Sequence, residues 1–223
     1  MRKLLGFSLF LLFSSISVAS AAEVVPSNWK VYTPCGSLNS RMVLKLQAEI
    51  RSPLAEDLRK LTSSCQNLES LELRFDSPGG SIVEAAAIVD VLEQLKNQNV
   101  KITTRVNNGD ECDSSCVPLF AQGNMRQAGP VAAFMFHGVA VYMLTNIPDP
   151  GLSQMMISMI EKANGLNTDW LNDLKAKKVF SIPSMYWLSG KELVDQKSGF
   201  VTELLDRQEL AKPYDRSYRP GGF

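Results

Sequence analysis

The sequence predicts an α/β fold in which a largely parallel sheet is covered by helices. Along most of the 223 residues, segments with the two-residue period of a half-buried strand alternate with segments of helical periodicity. This is the order that βαβ units require. No segment repeats, and no linker-like stretch separates two halves. About 200 residues would remain after loss of an N-terminal leader, which is enough for one well-buried domain. We therefore expect a single domain with right-handed crossover connections.

Strand and helix periods alternate through the first half of the chain. Leu44, Leu46 and Ile50 fall on one face of an alternating segment, which is typical of a half-buried strand. Pro53 suits the first turn of the next helix, and Ser81 with Glu84 predicts a capping box on the helix after it. The expected strands are residues 29–33, 42–50, 71–75 and 100–106, and the expected helices are residues 52–64 and 81–95.

The second half continues the alternation after a polar segment, 107–113, that predicts a loop. Ser114 then opens a short apolar helix, and an apolar strand over residues 131–136 ends at His137. Further helices are expected over residues 152–163 and 168–178 and from residue 189, with a last strand at 200–202.

The first 21 residues have the parts of a secretory signal peptide. Arg2 and Lys3 precede an apolar segment, and Ala19-Ser20-Ala21 offers a small-x-small cleavage site. The apolar segment is shorter than the roughly 20 residues that span a bilayer, so we expect cleavage and a periplasmic protein that is not held at the membrane. The domain is then expected over residues 22–211, with a flexible tail, rich in Pro, Gly, Arg and Tyr, at 212–223.

Charge and cysteine content narrow the function classes. Lys and Arg balance Asp and Glu at 23 each, and they form no basic stripe of the kind that binds nucleic acid. The four cysteines of an exported chain, Cys35, Cys65, Cys112 and Cys116, are expected to form disulfides. Three pairings are open, and proximity favours Cys112 with Cys116 and Cys35 with Cys65. One histidine and no CxxC pair argue against a metal site, and no cofactor is expected.

The single histidine limits the catalytic chemistry that this chain can perform. His137 lies twenty-three residues after Ser114, and the turn Pro78-Gly79-Gly80 lies upstream of both. All three follow predicted strands, and parallel sheets bind ligands at the carboxyl ends of their strands. They supply a nucleophile, a base and backbone N–H groups for an oxyanion, which acyl transfer needs. Each also has a purely structural interpretation: a helix cap, a satisfied imidazole and a tight turn.

These segments resemble the Clp protease proteolytic subunit of the Clp/crotonase superfamily. The matching positions are residues 76–81, Ser114, Gly123, Arg126 and the apolar strand ending at His137. The sequence Cys-Asp-Ser-Ser-Cys at 112–116 is also similar to a pattern in exported bacterial Clp-like proteins. The resemblance covers residues 40–205. It implies one Clp/crotonase-like domain, a parallel-sheet ββα superhelix with helices packed outside.

The resemblance also implies a role for each site residue. Ser114 would be the nucleophile, with Ser115 as its rival one residue on, and His137 would be the general base. The backbone N–H groups of Gly79 and Ser115 would line the oxyanion hole. The family's orienting aspartate aligns with a serine here, Ser181, so Asp173 is the expected substitute.

The expected function is that of an exported serine hydrolase, a peptidase acting on peptide or protein substrates through an acyl-enzyme. The missing aspartate leaves open a catalytically silent module that binds an extended peptide or protein partner. A crotonase-type enzyme acting on acyl-coenzyme A would share the fold, but the signal peptide argues against it.

Self-association is a further implication of the resemblance. The contact would be a helix after His137, for which the apolar residues at 151–165 are candidates, although such a stripe is typical of ordinary core. No ATPase partner is expected in an exported compartment.

Overall fold

The computed structural model describes residues 28–35, 40–140, 147–181 and 185–205. The expected leader and tail lie outside these residues. Within them the chain forms nine strands and six helices. The strands are β1 (Trp29–Thr33), β2 (Arg41–Leu46), β3 (Ser70–Phe75), β4 (Lys101–Val106), β5 (Glu111–Asp113), β6 (Met125–Ala128), β7 (Ala133–Phe136), β8 (Tyr186–Ser189) and β9 (Glu203–Leu204). The helices are α1 (Leu54–Ser63), α2 (Ile82–Asn97), α3 (Cys116–Phe120), α4 (Pro150–Glu161), α5 (Thr168–Ala176) and α6 (Gly190–Asp195).

Two sheets organise these elements. The larger has the order β1-β2-β3-β4-β6-β9, and every pair except the antiparallel β1–β2 pair is parallel. The smaller has the order β5-β7-β8, with β5 and β7 parallel and β8 antiparallel to β7. A bridge between Ser77 and Cys112 joins the turn after β3 to β5. The predicted α/β fold with a largely parallel sheet is confirmed.

Aromatic packing supports the strand that precedes the single histidine. All four residues of β7 are buried. The rings of Phe134 and Phe136 lie 5.8 and 5.6 Å from the ring of Phe200, centroid to centroid. Such edge-to-face contacts add to the burial of the apolar area. The core therefore fixes the position of the strand that His137 directly follows.

Three short strands, β5, β6 and β8, were not expected from the sequence. β5 lies within the segment predicted to be a loop, and the predicted last strand at residues 200–202 forms three residues later as β9. The predicted strand over residues 42–50 ends at Leu46. Strands of two to four residues have too few positions to display a period of two.

The predicted capping box at Ser81 forms only by half. The Ser81 side chain accepts from the Glu84 N–H at 3.2 Å. The Glu84 carboxylate accepts instead from the Ala55 N–H at 2.7 Å, because the Ser81 N–H already donates to the carbonyl of Ile50.

The candidate self-association helix, α4, buries most of its apolar stripe inside the protomer. Met156, Met159 and Ile160 are buried, and Met155 is 39% exposed. Within the described residues no helix is long and apolar enough to cross a membrane.

Candidate active site

The parallel pair β5–β7 brings Ser114 and His137 together. Asp113 lies opposite Met135 in the register of these strands, and the Ser114 N–H donates to the Met135 carbonyl at 2.9 Å. Each candidate residue directly follows its strand, so both lie at the same carboxyl edge. The Ser114 Oγ is 2.7 Å from the His137 Nε2, which is the distance expected of a nucleophile and its base.

The backbone at Ser114 presents its side chain to the imidazole. Ser114 has a φ of 53°, a left-handed conformation that non-glycine residues adopt only where the surroundings hold it. Its carbonyl accepts from the Val117 N–H at 2.9 Å at the start of α3. Ser114 and His137 are half-buried between buried neighbours, so both remain accessible to a substrate.

Ser115, the rival nucleophile, has its hydroxyl directed elsewhere. Its Oγ donates to the Gly80 carbonyl at 2.6 Å, and the residue is buried. The structure thus brings the hydroxyl of Ser114, and not that of Ser115, to the single imidazole. The hydroxyl of Ser115 ties the start of α3 to the glycine turn.

The glycine turn lies against Ser114 so closely that only glycine fits. Gly79 has a φ of 90°, and a Cβ added there would come within 2.5 Å of the Asp113 carbonyl oxygen and 2.7 Å of the Ser114 Cβ. The same Cβ would lie 3.2 Å from the Ser115 nitrogen. The two backbone N–H groups implicated in oxyanion binding, those of Gly79 and Ser115, are therefore neighbours.

The two N–H groups differ in what they already contact. The Gly79 N–H donates to the Ser77 Oγ at a long 3.2 Å, and the Ser77 hydroxyl itself donates to the Ala48 carbonyl at 2.7 Å. No hydrogen bond from the Ser115 N–H to another described residue is present. An unpaired N–H beside a helix start is suited to negative charge.

The environment of His137 favours its neutral form. Burial disfavours the imidazolium and lowers the pKa of His137 below 6.5, while a hydrogen bond with the backbone of Gly138 opposes that effect. A neutral imidazole is the form that accepts a proton from serine.

The structure places Asp173, the expected orienting carboxylate, away from His137. Asp173 lies on α5, its side chain is 55% exposed, and it pairs with Lys177 at 2.6 Å. Among the described residues no carboxylate hydrogen-bonds to His137, whose side-chain partner is Ser114. Asp173 lies eight residues before Ser181 in the sequence, but its side chain is on the exposed face of α5 and does not contact His137.

Ser77 belongs to the turn that the sequence singled out, but no role for its side chain was predicted. In the structure its hydroxyl fixes the turn, because it donates to the Ala48 carbonyl and accepts from the Gly79 N–H.

Acidic side chains cluster behind the turn. Burial and the charge of Asp76 raise the pKa values of Asp110 and Glu111. Lys45 lies 3.1 Å from Asp110 and 3.6 Å from Asp76, so part of this negative charge is neutralised.

The four cysteines form two disulfides, Cys35 with Cys65 and Cys112 with Cys116. This is the pairing that proximity along the sequence favours. In the described part of the chain, no group of three or more His, Cys, Asp or Glu side chains could hold a metal ion.

Comparison with known proteins places the fold. No protein-family model and no curated protein sequence matches the chain. Among solved structures it is similar to the crystal structure of the ClpP protease catalytic domain from Plasmodium falciparum, with a TM-score of 0.56 and 19% sequence identity. The match covers 78% of this chain and 89% of that one. The chain therefore has an α/β fold like that of the ClpP protease catalytic domain.

Proposed function

We propose that the protein is a serine hydrolase of the Clp type that cleaves peptide bonds through an acyl-enzyme. One observation carries the proposal: the Ser114 Oγ lies 2.7 Å from the His137 Nε2 in a chain with one histidine. A nucleophile and a base at this distance are the minimum that serine hydrolysis requires.

The proposed reaction begins with neutral His137, whose pKa is lowered by burial. The imidazole accepts the Ser114 hydroxyl proton as the Oγ attacks the peptide carbonyl. The N–H groups of Gly79 and Ser115 bind the resulting oxyanion. The imidazolium then gives the proton to the departing amine, which leaves an ester on Ser114. Water repeats the sequence, with His137 as base, and releases the acid.

Among the described residues no carboxylate takes the orienting place that the family gives to an aspartate, because the geometric side-chain partner of the His137 ring is Ser114. The ring then has no full negative charge beside it to stabilise the imidazolium. Loss of an orienting aspartate can lower a rate by about 10⁴, so turnover by this Ser–His pair is expected to be slow. Asp173 would have no part in it.

The cellular setting belongs to the same proposal. Two disulfides are compatible with an oxidising compartment, and the N-terminal sequence favours export. We propose a periplasmic protein of the exported bacterial Clp-like branch. Its substrate would be an extended peptide or protein segment, and it would act without an ATPase partner. Self-association is proposed only on the likeness of fold.

Labelling with a fluorophosphonate probe tests the hydrolase proposal, because the probe reacts only with an activated serine. The wild-type protein should be labelled, and Ser114→Ala and His137→Ala should each abolish labelling. Ser158→Ala is the matched control, since Ser158 is exposed on α4. Asp173→Asn should be labelled as fast as wild type. Labelling that survives Ser114→Ala would contradict the assignment.

A catalytically silent binding module is the second candidate. It is favoured by the Gly79 N–H, which already donates to the Ser77 Oγ, and by the lack of a carboxylate at His137 among the described residues. In that case the wild-type protein should resist the probe but bind extended peptides. Peptide affinity, measured by calorimetry, should then be unchanged in Ser114→Ala and His137→Ala.

A further inference from the structure

The Cys112–Cys116 disulfide encloses the candidate nucleophile. The bond joins residues four apart, with Cα atoms 5.1 Å apart, and Ser114 is the middle residue of the closed segment. This is also where the backbone takes its left-handed turn, with a φ of 53° at Ser114. Cys112 belongs to β5, whereas Cys116 is the first residue of α3.

Cys112 is itself fixed to the two other parts of the site. It lies opposite Phe134 in β7, the strand that leads to His137. It also forms a bridge with Ser77, two residues before Gly79. The hydrogen bonds on either side of this bridge, Ser77 N–H to the Glu111 carbonyl and Asp113 N–H to the Ser77 carbonyl, measure 2.8 and 3.0 Å. Cys112 is therefore connected, by strand pairing and backbone hydrogen bonds, both to the strand that leads to His137 and to the glycine turn.

Through its disulfide to Cys112, Cys116 extends this connection to the start of α3. It adjoins Ser115, whose N–H is the second candidate oxyanion donor. From the geometry we infer that the Cys112–Cys116 disulfide is a positioning device: it holds the Ser114 Oγ against His137 and the Ser115 N–H beside Gly79. This inference rests on the proposed hydrolase function for its activity readout. The cysteines touch no substrate in this proposal, because they act through Ser114 and Ser115.

The bond is a permanent brace and not a reversible switch. Cys112 and Cys116 are both 0% exposed, and exchange with an external thiolate requires access to a sulfur atom. The brace is thus installed when the chain folds in an oxidising compartment. Oxidation of the dithiol by glutathione disulfide would form the Cys112–Cys116 bond and break the S–S bond of glutathione disulfide, which takes up two electrons and two protons and leaves as two glutathione thiols.

The other disulfide is a matched control supplied by the chain. Cys35 and Cys65 are separated by 30 residues and Cys112 and Cys116 by four. A longer closed loop restricts the unfolded chain more strongly. Loss of Cys35–Cys65 should therefore lower the unfolding temperature more, whereas loss of Cys112–Cys116 should lower the reaction rate more. If both bonds had a purely structural role, the variant with the larger loss in unfolding temperature would also show the larger loss in reaction rate.

The first test compares two double variants in their reaction with a fluorophosphonate. In Cys112→Ala/Cys116→Ala the maximal labelling rate should fall by about 100-fold, as small misplacements of reacting atoms do, with the half-saturating probe concentration unchanged. Cys35→Ala/Cys65→Ala should keep the wild-type rate at a temperature where it is folded. Equal rates in the two variants would overturn the inference.

A second measurement uses the wild-type sequence, so it does not depend on whether a variant folds. Wild-type protein is unfolded and reduced in dithiothreitol, and it is then refolded with increasing amounts of glutathione disulfide, so that the thiols react before they are buried. Peptide mapping by mass spectrometry gives the fraction of each disulfide that has formed. The labelling rate should rise with the fraction of Cys112–Cys116 formed. The positioning role would be overturned if the dithiol form were labelled at the full rate, or if the labelling rate rose with the fraction of Cys35–Cys65 formed instead.

A third measurement separates this inference from the hydrolase proposal. Because His137 is the only histidine, protein made without a polyhistidine tag gives one set of imidazole nitrogen signals by NMR. These signals should move in Cys112→Ala/Cys116→Ala toward their positions in Ser114→Ala, and should not move in Cys35→Ala/Cys65→Ala. If the probe never labels wild type, the hydrolase proposal fails, and this result alone decides the positioning role. Imidazole signals that do not move in Cys112→Ala/Cys116→Ala would contradict the positioning role.

Discussion

At the scale of single residues, the candidate chemistry depends on the partial burial of His137. Removal of the ring from water disfavours the imidazolium, and this effect outweighs the opposing hydrogen bond to Gly138, so the pKa lies below 6.5. A base with such a pKa is neutral at pH 7. Its partner is then the Ser114 hydroxyl, 2.7 Å away.

The pH dependence of labelling should reveal this lowered pKa. The rate should rise with pH through one ionisation whose midpoint is below 6.5 and then stay level. The same group affects stability with the same sign, because the unfolded chain binds the proton more tightly. Its contribution is present above pH 6.5 and is lost as the pH falls toward the folded pKa. Titration of the single imidazole by NMR gives the midpoint directly, and a value above 6.5 would contradict the burial argument.

The catalytic pair and its orienting group differ in how well the sequence predicts them. Ser114 and His137 were singled out because their side chains have the required chemistry, and the structure puts them in contact. Asp173 was chosen only as the nearest carboxylate upstream of Ser181, and its side chain lies on the exposed face of a helix. Distance along the sequence does not predict which side chain reaches the imidazole.

At the scale of elements, the long segments were all predicted, and the ones that were missed are short strands. β3 and α2 display their periods over six and sixteen residues. β6 and β8 have four residues each, and they owe their form to partners far along the chain, such as the pairing of β8 with β7. Local periodicity carries no information about such partners.

The glycine turn is the element whose fit to Ser114 can be tested most directly. In Gly79→Ala the new Cβ would lie within 2.7 Å of the Asp113 carbonyl and the Ser114 Cβ, so the turn must move away. The fluorophosphonate labelling rate should fall by at least about 100-fold. Gly165→Ala is the control, because Gly165 also has a positive φ, of 75°, but open space around it.

The two variants separate a steric effect from backbone strain. Gly165→Ala should lower the free energy of unfolding by about 1 kcal/mol through its left-handed backbone and leave labelling unchanged. If Gly79→Ala is labelled as fast as Gly165→Ala, the turn does not form part of the reactive site.

At the scale of the whole molecule, one buried cation ties distant segments together. Arg126 lies on β6 and is 0% exposed. Its guanidinium donates to the carbonyls of Gly123, Asn164, Gly199 and Phe200 at 2.6 to 2.8 Å. Burial lowers the pKa of Arg126, and the four carbonyls replace the water that the charge has lost. The connection joins the larger sheet to the loop whose Phe200 supports β7.

Replacement of this cation should lower the global stability more than any exposed charge does. Arg126→Met fills similar volume but leaves four carbonyls without their donor, at about 1–3 kcal/mol for each buried group left unpaired. We expect a loss of at least about 3 kcal/mol in the free energy of unfolding by urea, because water can satisfy part of the deficit. Arg126→Lys should fall between this variant and wild type, since an ammonium group has three donors and no planar fork.

The matched control for this experiment is Arg59→Met on the surface of α1. Arg59 is 49% exposed and pairs with Glu56 within the same helix, so its loss should cost less than about 1 kcal/mol. All variants should keep the wild-type slope of free energy against urea if they unfold in one step. Equal losses in Arg126→Met and Arg59→Met would mean that the four carbonyls find other donors, and that Arg126 does not hold the loop beneath β7.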